Sequence, residues 1–462
     1  MLGGIPNVMA DTLFVPAVTL AGRYDSNIFS SPKIPGLRRD DWVSTVTPQL
    51  NVIHQGDLAQ GGLQLTGVGE QYLHNNDLNY FGGGANVNLT LNRLIQRYSP
   101  RLSLTVTNST IYTPQAPSFA APNIDGDPNV LLRGIQIARV DTFLNSSSAN
   151  LSYAFDRLSS IRLSYSYSLI RFGQPSVNAA NSGVVNTNSE SVSIGPQFQV
   201  SSRDSVFMNY IYQRTQFVGG QLPGFSSSFQ THGGTVGWSR VWSPQIRSTI
   251  MAGVSSVEEG TAVNGSGGTS ATQSGGALLT YTAGATLVYT ETLPGSATRG
   301  PGLGGLAVGG IGAIGGLSGA GGAGVPGGGA MAMLGGSRQM FALNYSAGVF
   351  PGYVSGGVPL ISHVISASFF RRVGFSWGIA CGADYARNDS LSKQPGAQDL
   401  SSSGYGGNGA ISFFATPTLF GSITADYHRF EGQGLAVSGA VAGGTAELDR
   451  FVTMISLTKV WY

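Results

Sequence analysis

Along most of the chain apolar and polar residues alternate with a period of two, and helical periodicity is nearly absent. In Ile161-Arg162-Leu163-Ser164-Tyr165-Ser166-Tyr167-Ser168-Leu169 one face carries Ile, Leu and Tyr, and the other carries Arg and Ser. Leu102, Leu104 and Val106 alternate with Ser103, Thr105 and Thr107. Leu279, Tyr281, Ala283, Ala285, Leu287 and Tyr289 alternate with Thr280, Thr282, Gly284 and Thr286, and Trp377, Ile379, Ala383 and Tyr385 with Gly378, Gly382 and Asp384. A period of two belongs to a β-strand whose two faces meet different surroundings, so the pattern predicts an all-β chain.

The polar face decides what those surroundings are. A sheet turned to bulk water shows Lys, Glu and Arg; here the polar positions are mostly Ser, Thr, Asn, Gln and Gly. Small neutral polar residues suit an enclosed, hydrated lumen, and apolar residues with Tyr, Phe and Trp towards strand ends suit lipid and its interfaces. The connections carry a second signal. Short turns are expected near residues 55–57, 98–100, 156–158, 203–204, 243–244, 372–373 and 416–417. Longer loops rich in Gly, Ser, Asn and Pro lie near 25–42, 114–140, 173–187, 217–230, 258–275, 388–403 and 431–446. Short turns alternating with long loops are the asymmetry of outer-membrane barrels. The prediction is a transmembrane antiparallel β-barrel of about eighteen strands, in a range of about 16–20, with both termini on the short-turn side.

Composition sharpens this. Only 10% of the 462 residues are charged, against about a quarter in a soluble domain, and no charge-free run of about twenty Leu/Ile/Val/Phe-rich residues offers a spanning helix. In lipid every backbone polar group must be paired internally, which leaves a closed barrel. With 25 Lys and Arg against 23 Asp and Glu, no clustered basic face invites nucleic acid. Cys381 stands alone, so no internal disulfide forms.

Residues 1–12 read as an N-terminal stub and 13–462 as the barrel. Residues 1–10 have neither a basic n-region nor an adequate apolar stretch, and Val8-Met9-Ala10 only loosely resembles a cleavage site; export therefore predicts a signal segment upstream of Met1. Residues 291–337 fall where a short turn is due, yet 300–336 are dense in Gly. Each Gly disfavours helix by about 1 kcal/mol against Ala, so this stretch reads as a flexible periplasmic insertion, with a plug in the lumen as the second reading. The chain stops at Val460-Trp461-Tyr462, after the alternating Phe451, Ile455 and Leu457. Such an aromatic end is what barrel-assembly machinery recognises; that machinery, outer-membrane lipid and lipopolysaccharide are the expected partners.

The segment Arg23-Tyr24-Asp25-Ser26-Asn27-Ile28-Phe29, followed by Asp40-Asp41-Trp42-Val43-Ser44-Thr45-Val46-Thr47-Pro48-Gln49-Leu50, resembles the start of a family of outer-membrane β-barrel porins. There a first strand ends in a Tyr-x-x-Asn-Ile-Phe-like loop, and the second begins with Asp and carries a Pro-x-apolar step. Members of that family accompany exopolysaccharide-secretion or exosortase systems. The resemblance thus implies an outer-membrane channel, with a polymer as cargo and exopolysaccharide-export components as partners. It covers the first two strands, and the Gly-rich insertion departs from it.

Enzymatic machinery is not evident. Asp426 and His428 stand two apart on one strand face, but an acid/base pair needs a further partner and a bound substrate. No Cys/His spacing suits zinc, and no Ser sits in a glycine-flanked elbow. Gly300-Pro301-Gly302-Leu303-Gly304-Gly305 matches Gly-x-Gly-x-x-Gly without the helix and the acidic residue a dinucleotide site requires. The expectation is no enzyme, no cofactor and no metal. What remains is a pore lining: Arg23, Glu70, Asp384 and Asp426 towards the outer mouth, Arg162 and Arg247 towards the periplasmic one, and His428 on the lumen face with Asp426. Two functions fit, a passive channel for hydrated solutes or a secreted polysaccharide, and a non-conducting barrel that docks components of a secretion system.

Overall fold

The structure, a computed structural model, describes residues 11–28, 38–56, 59–115, 140–175, 186–218, 226–259, 277–292, 337–351, 359–374, 376–391, 401–416, 418–433 and 445–461. The alternating segments form eighteen strands: β1 (Asp11–Asp25), β2 (Asp41–Gln55), β3 (Gln60–Tyr72), β4 (Tyr80–Thr90), β5 (Leu102–Gln115), β6 (Val140–Ala154), β7 (Ser159–Pro175), β8 (Asn186–Gln199), β9 (Asp204–Val218), β10 (Ser226–Val241), β11 (Ile246–Glu259), β12 (Leu278–Thr292), β13 (Ser337–Pro351), β14 (Pro359–Val373), β15 (Trp377–Ser390), β16 (Ser401–Thr416), β17 (Leu419–Gln433) and β18 (Thr445–Val460). Each pairs antiparallel with its neighbours in sequence, and β1 also pairs with β18, from Ala17 opposite Val460 to Asp25 opposite Val452. The sheet therefore closes and leaves no edge strand.

The distribution of side chains is inverted relative to a protein dissolved in water. Hidden from the surface are Thr45, Thr47, Thr66, Ser168, Ser189, Thr215, Ser412 and Thr424; exposed are Leu20, Val46, Leu65, Ile250, Ile423 and Ile455. Both sets follow strand parity, so hydroxyls line the enclosed side and aliphatic side chains the outside. Only hydrocarbon outside makes that arrangement favourable. Aromatic pairs mark the borders of the apolar band. Tyr24 and Trp42 meet at 5.3 Å towards the long-loop end, and Trp377 and Phe413 at 5.7 Å towards the other. On β15 the band runs from Trp377 to Tyr385; eight residues at about 3.3 Å each and a tilt near 40° span roughly 20 Å, comparable with the ~25 Å apolar belt of an outer-membrane barrel. The protein is an outer-membrane β-barrel.

The connections between described strands confirm the predicted asymmetry and correct its details. The expected tight turn at 98–100 is wider and contains the short helix α1 (Asn92–Gln96). Its five residues are too few to show a helical period in the sequence. The β3–β4 connection, not singled out in the sequence, includes a single 3-10 turn at Asn76–Leu78. In the β6–β7 turn Asp156 accepts hydrogen bonds from Ser159 Oγ and from the amides of Leu158 and Ser159, which together hold its carboxyl below the usual carboxylate range. Asp11 and Thr12, expected in the terminal stub, instead open β1 because they pair with Gln55 and His54. Glu291, Thr292 and Ser337, expected in the insertion, belong to the β12–β13 ladder. Residues 1–10 and 293–336 lie outside the described residues; the strand ends that flank the latter stand at the short-turn end.

Candidate functional site: the inner wall

Register, rather than sequence proximity, assembles the inner wall. One cross-strand row on it runs Thr286, Asn344, Ser366, Asp384, Gly406, His428 and Arg450, through β12 to β18. The row beneath holds Ala342, Ser368, Gly382, Asn408, Asp426 and Val452. His428 Nε2 lies 2.7 Å from Asp426 Oδ1. The imidazole lies flat against β16 because position 406 is Gly: a Cβ there would stand 2.1 Å from His428 Nδ1 and 3.1 Å from Asp384 Oδ1. Asp384 and Asp426 thus share the neighbourhood of one imidazole.

Charge continues around the barrel seam. Arg450 forms an ion pair with Asp25 through both Nε and Nη2. Next on β1, Arg23 Nη2 lies 3.0 Å from Glu70 Oε2, and the Tyr72 hydroxyl donates to the same oxygen at 2.8 Å. Each of these two pairs compensates its own charge locally, and Asp426 faces the His428 imidazole. Asp41 accepts from the amides of His74 and Asn75 and from Asn75 Nδ2, fastening the β3–β4 connection to β2.

The Tyr-Asp-Ser-Asn-Ile segment gains a physical meaning here. Asn27 donates its amide N–H to Asp25 Oδ1 and its side-chain Nδ2 to the Asp449 carbonyl, and Ser26 N–H donates to the Phe451 carbonyl. Ile28 packs with Val43, Tyr72 and Leu78. The motif latches the first strand onto the last at the long-loop end.

All seven predicted lining residues lie on the inward parity. Arg162 and Arg247 stand three and one positions into β7 and β11, towards the short-turn mouth. Arg23 and Glu70 stand near the long-loop end. Asp384 and Asp426 were expected there too, but each sits at the middle of its strand. The strands outrun the lipid band on the loop side, so half-way along a strand is not yet the mouth. His363, on the outward face, bridges the Tyr281 and Tyr345 hydroxyls at 3.0 and 3.1 Å, an interfacial arrangement. Sequence reading missed Asp25 and Arg450, whose parity was legible but whose pairing across 425 residues was not. It also missed an apolar arc near the long-loop end: Ile170, Phe217, Phe229 and Val257 form one cluster, with Leu144, Phe172 and Leu391 packed against it. Leu391 lies just beyond β15, four strands from β11, so this residue reaches into the lumen from another part of the wall. Among the described residues no group of three or more His, Cys, Asp or Glu side chains is placed to hold a metal ion.

No protein-family model matches the chain, and no curated protein does. Among solved structures it is similar to OccK3 (OpdO) of Pseudomonas aeruginosa, at 10% identity over 97% of this chain and 96% of that one, with a TM-score of 0.40. It is also similar to OccAB3 of Acinetobacter baumannii, at 10% identity over 97% and 99% with a TM-score of 0.42, and to OpdK of P. aeruginosa, at 9% over 97% and 99% with 0.41. OpdK is an outer membrane protein, and all three are covered nearly end to end; the fold of the present chain stands on its own strand register. By that register and its inverted surface, the chain is an eighteen-stranded transmembrane β-barrel of the outer membrane.

Proposed function

We propose that the protein is a passive, cation-preferring channel for small hydrated solutes. The observation that carries this reading is the closed eighteen-strand wall with a hydroxyl- and amide-lined interior. Barrels of about 16–18 strands enclose an aqueous passage. Unlike charges at fixed positions in such a passage set its ion preference. Asp384 and Asp426 lie at mid-strand on the inner wall, with the His428 imidazole close to both. Passage of a secreted polysaccharide, implied by the family resemblance, is the polymer form of the same reading, and export components would then be partners at the barrel's ends.

Purified protein in planar bilayers under a KCl gradient tests the channel. Steady conductance with a cation-selective reversal potential is expected, and Asp384→Asn with Asp426→Asn should move that potential towards zero while conductance persists. A reversal potential unchanged by both substitutions removes the two carboxylates from the selectivity mechanism. An electrically silent barrel overturns the channel reading and favours the docking role.

A further inference from the structure

Within the β13–β18 wall, two neutral side chains hold unused hydrogen-bonding capacity. Asn344 is 6% exposed and Ser366, its cross-strand partner, 8%. Both the Nδ2 and the Oδ1 of Asn344, and the Oγ of Ser366, are buried without a hydrogen-bond partner. Buried amides and hydroxyls are nearly always satisfied, so three idle polar atoms on adjacent residues, one position along the row from Asp384, call for an occupant. On the neighbouring β15 and β16, Gly382, Gly404 and Gly406 carry no side chain; the His428 ring covers Gly406 and the Asn408 amide covers Gly382, which brings further polar groups beside the row. Almost opposite, on β3, Gln64 Nε2 and Thr66 Oγ1 are buried and idle as well.

We propose that this stretch of the inner wall is a recognition site for a neutral, hydroxyl-rich solute of the mono- or disaccharide class. The inference rests on the channel reading and deepens it. Asn344 offers a donor and an acceptor side by side, Ser366 can serve as either, and Asp384 and Asp426 accept. A pair of neighbouring sugar hydroxyls likewise donates and accepts at once, so it uses all of these atoms. An ammonium or guanidinium solute only donates; it would engage the carboxylates and leave Asn344 Nδ2 unused. A carboxylate or phosphate solute would accept from Asn344 but face Asp384 and Asp426. The donor-and-acceptor mixture, rather than the acids alone, singles out the polyol.

The test uses the reconstituted full chain in planar bilayers, with D-glucose and maltose as probes and arginine and benzoate as controls. Saturable reduction of the KCl current by the sugars is expected, at lower concentration than by either control. Asn344→Leu and Ser366→Ala should each raise the half-blocking sugar concentration about tenfold, the scale of a lost hydrogen bond to a bound ligand, with block measured relative to each variant's own sugar-free KCl current. Ser366→Thr keeps the hydroxyl and should retain the block, which separates loss of the group from misfolding. Conductance without saturable sugar block, or a block indifferent to Asn344→Leu and Ser366→Ala, overturns the site and leaves the channel standing. A barrel silent in KCl removes both.

Discussion

Replacing Arg23 by Met is expected to destabilise the barrel by about 3–5 kcal/mol, the cost of leaving one partner of a buried ion pair uncompensated. The side chains of Arg23 and Glu70 are 4% and 0% exposed. Without the guanidinium, Glu70 keeps the hydrogen bond from the Tyr72 hydroxyl, which cannot neutralise a carboxylate. Replacing both residues, Arg23→Met with Glu70→Met, removes the buried charge along with its partner and should recover most of the loss, because a buried pair exchanged for apolar groups of similar volume is often close to neutral. Urea unfolding of all three proteins from lipid vesicles measures the cycle. If single and double variants lose the same amount, the pair is hydrated and contributes no coupling.

A second large effect separates two adjacent residues on one strand. Leu163 and Ser164 differ by one position on β7, and so by face: Leu163 is 41% exposed on the outside, whereas Ser164 shares the lumen side with Arg162 and Ser166. Leu163→Arg should cost about 2–4 kcal/mol, the penalty for arginine near the middle of the lipid-facing belt. Ser164→Arg places the same charge in enclosed water, next to an arginine the wall already tolerates, and should change stability by far less. The same unfolding experiment reads both. Equal penalties would mean that the two faces meet the same medium.

Strand number, parity and the turn-loop asymmetry were legible in the sequence because each depends on local chemistry. A residue that faces lipid must be apolar whatever its distant partner, so Leu163 and Tyr165 against Ser164 and Ser166 reveal the two sides unaided. What sequence could not show depends on closure. Asp25 and Arg450 become neighbours only once β1 meets β18, and Asn344, Ser366, Asp384 and His428 share a row only through the register of five strands. The apolar arc of Ile170, Phe217 and Phe229 was hidden for another reason. Above the lipid band the enclosed side carries packed hydrophobic residues as well as hydroxyls, so there the simple two-sided rule no longer holds.

Closure of the sheet is the claim from which lumen, selectivity and recognition site all follow, and a crosslink tests it directly. Thr19 on β1 and Thr458 on β18 face each other with their hydroxyl oxygens 2.8 Å apart, a spacing that brings paired Cβ atoms within reach of a disulfide. With Cys381 replaced by Ser, the variant Thr19→Cys with Thr458→Cys should form an intramolecular disulfide under mild oxidant in the folded, vesicle-bound protein, detected by mass spectrometry of the linked peptides. Two free thiols in a barrel otherwise shown to be folded would contradict a closed wall.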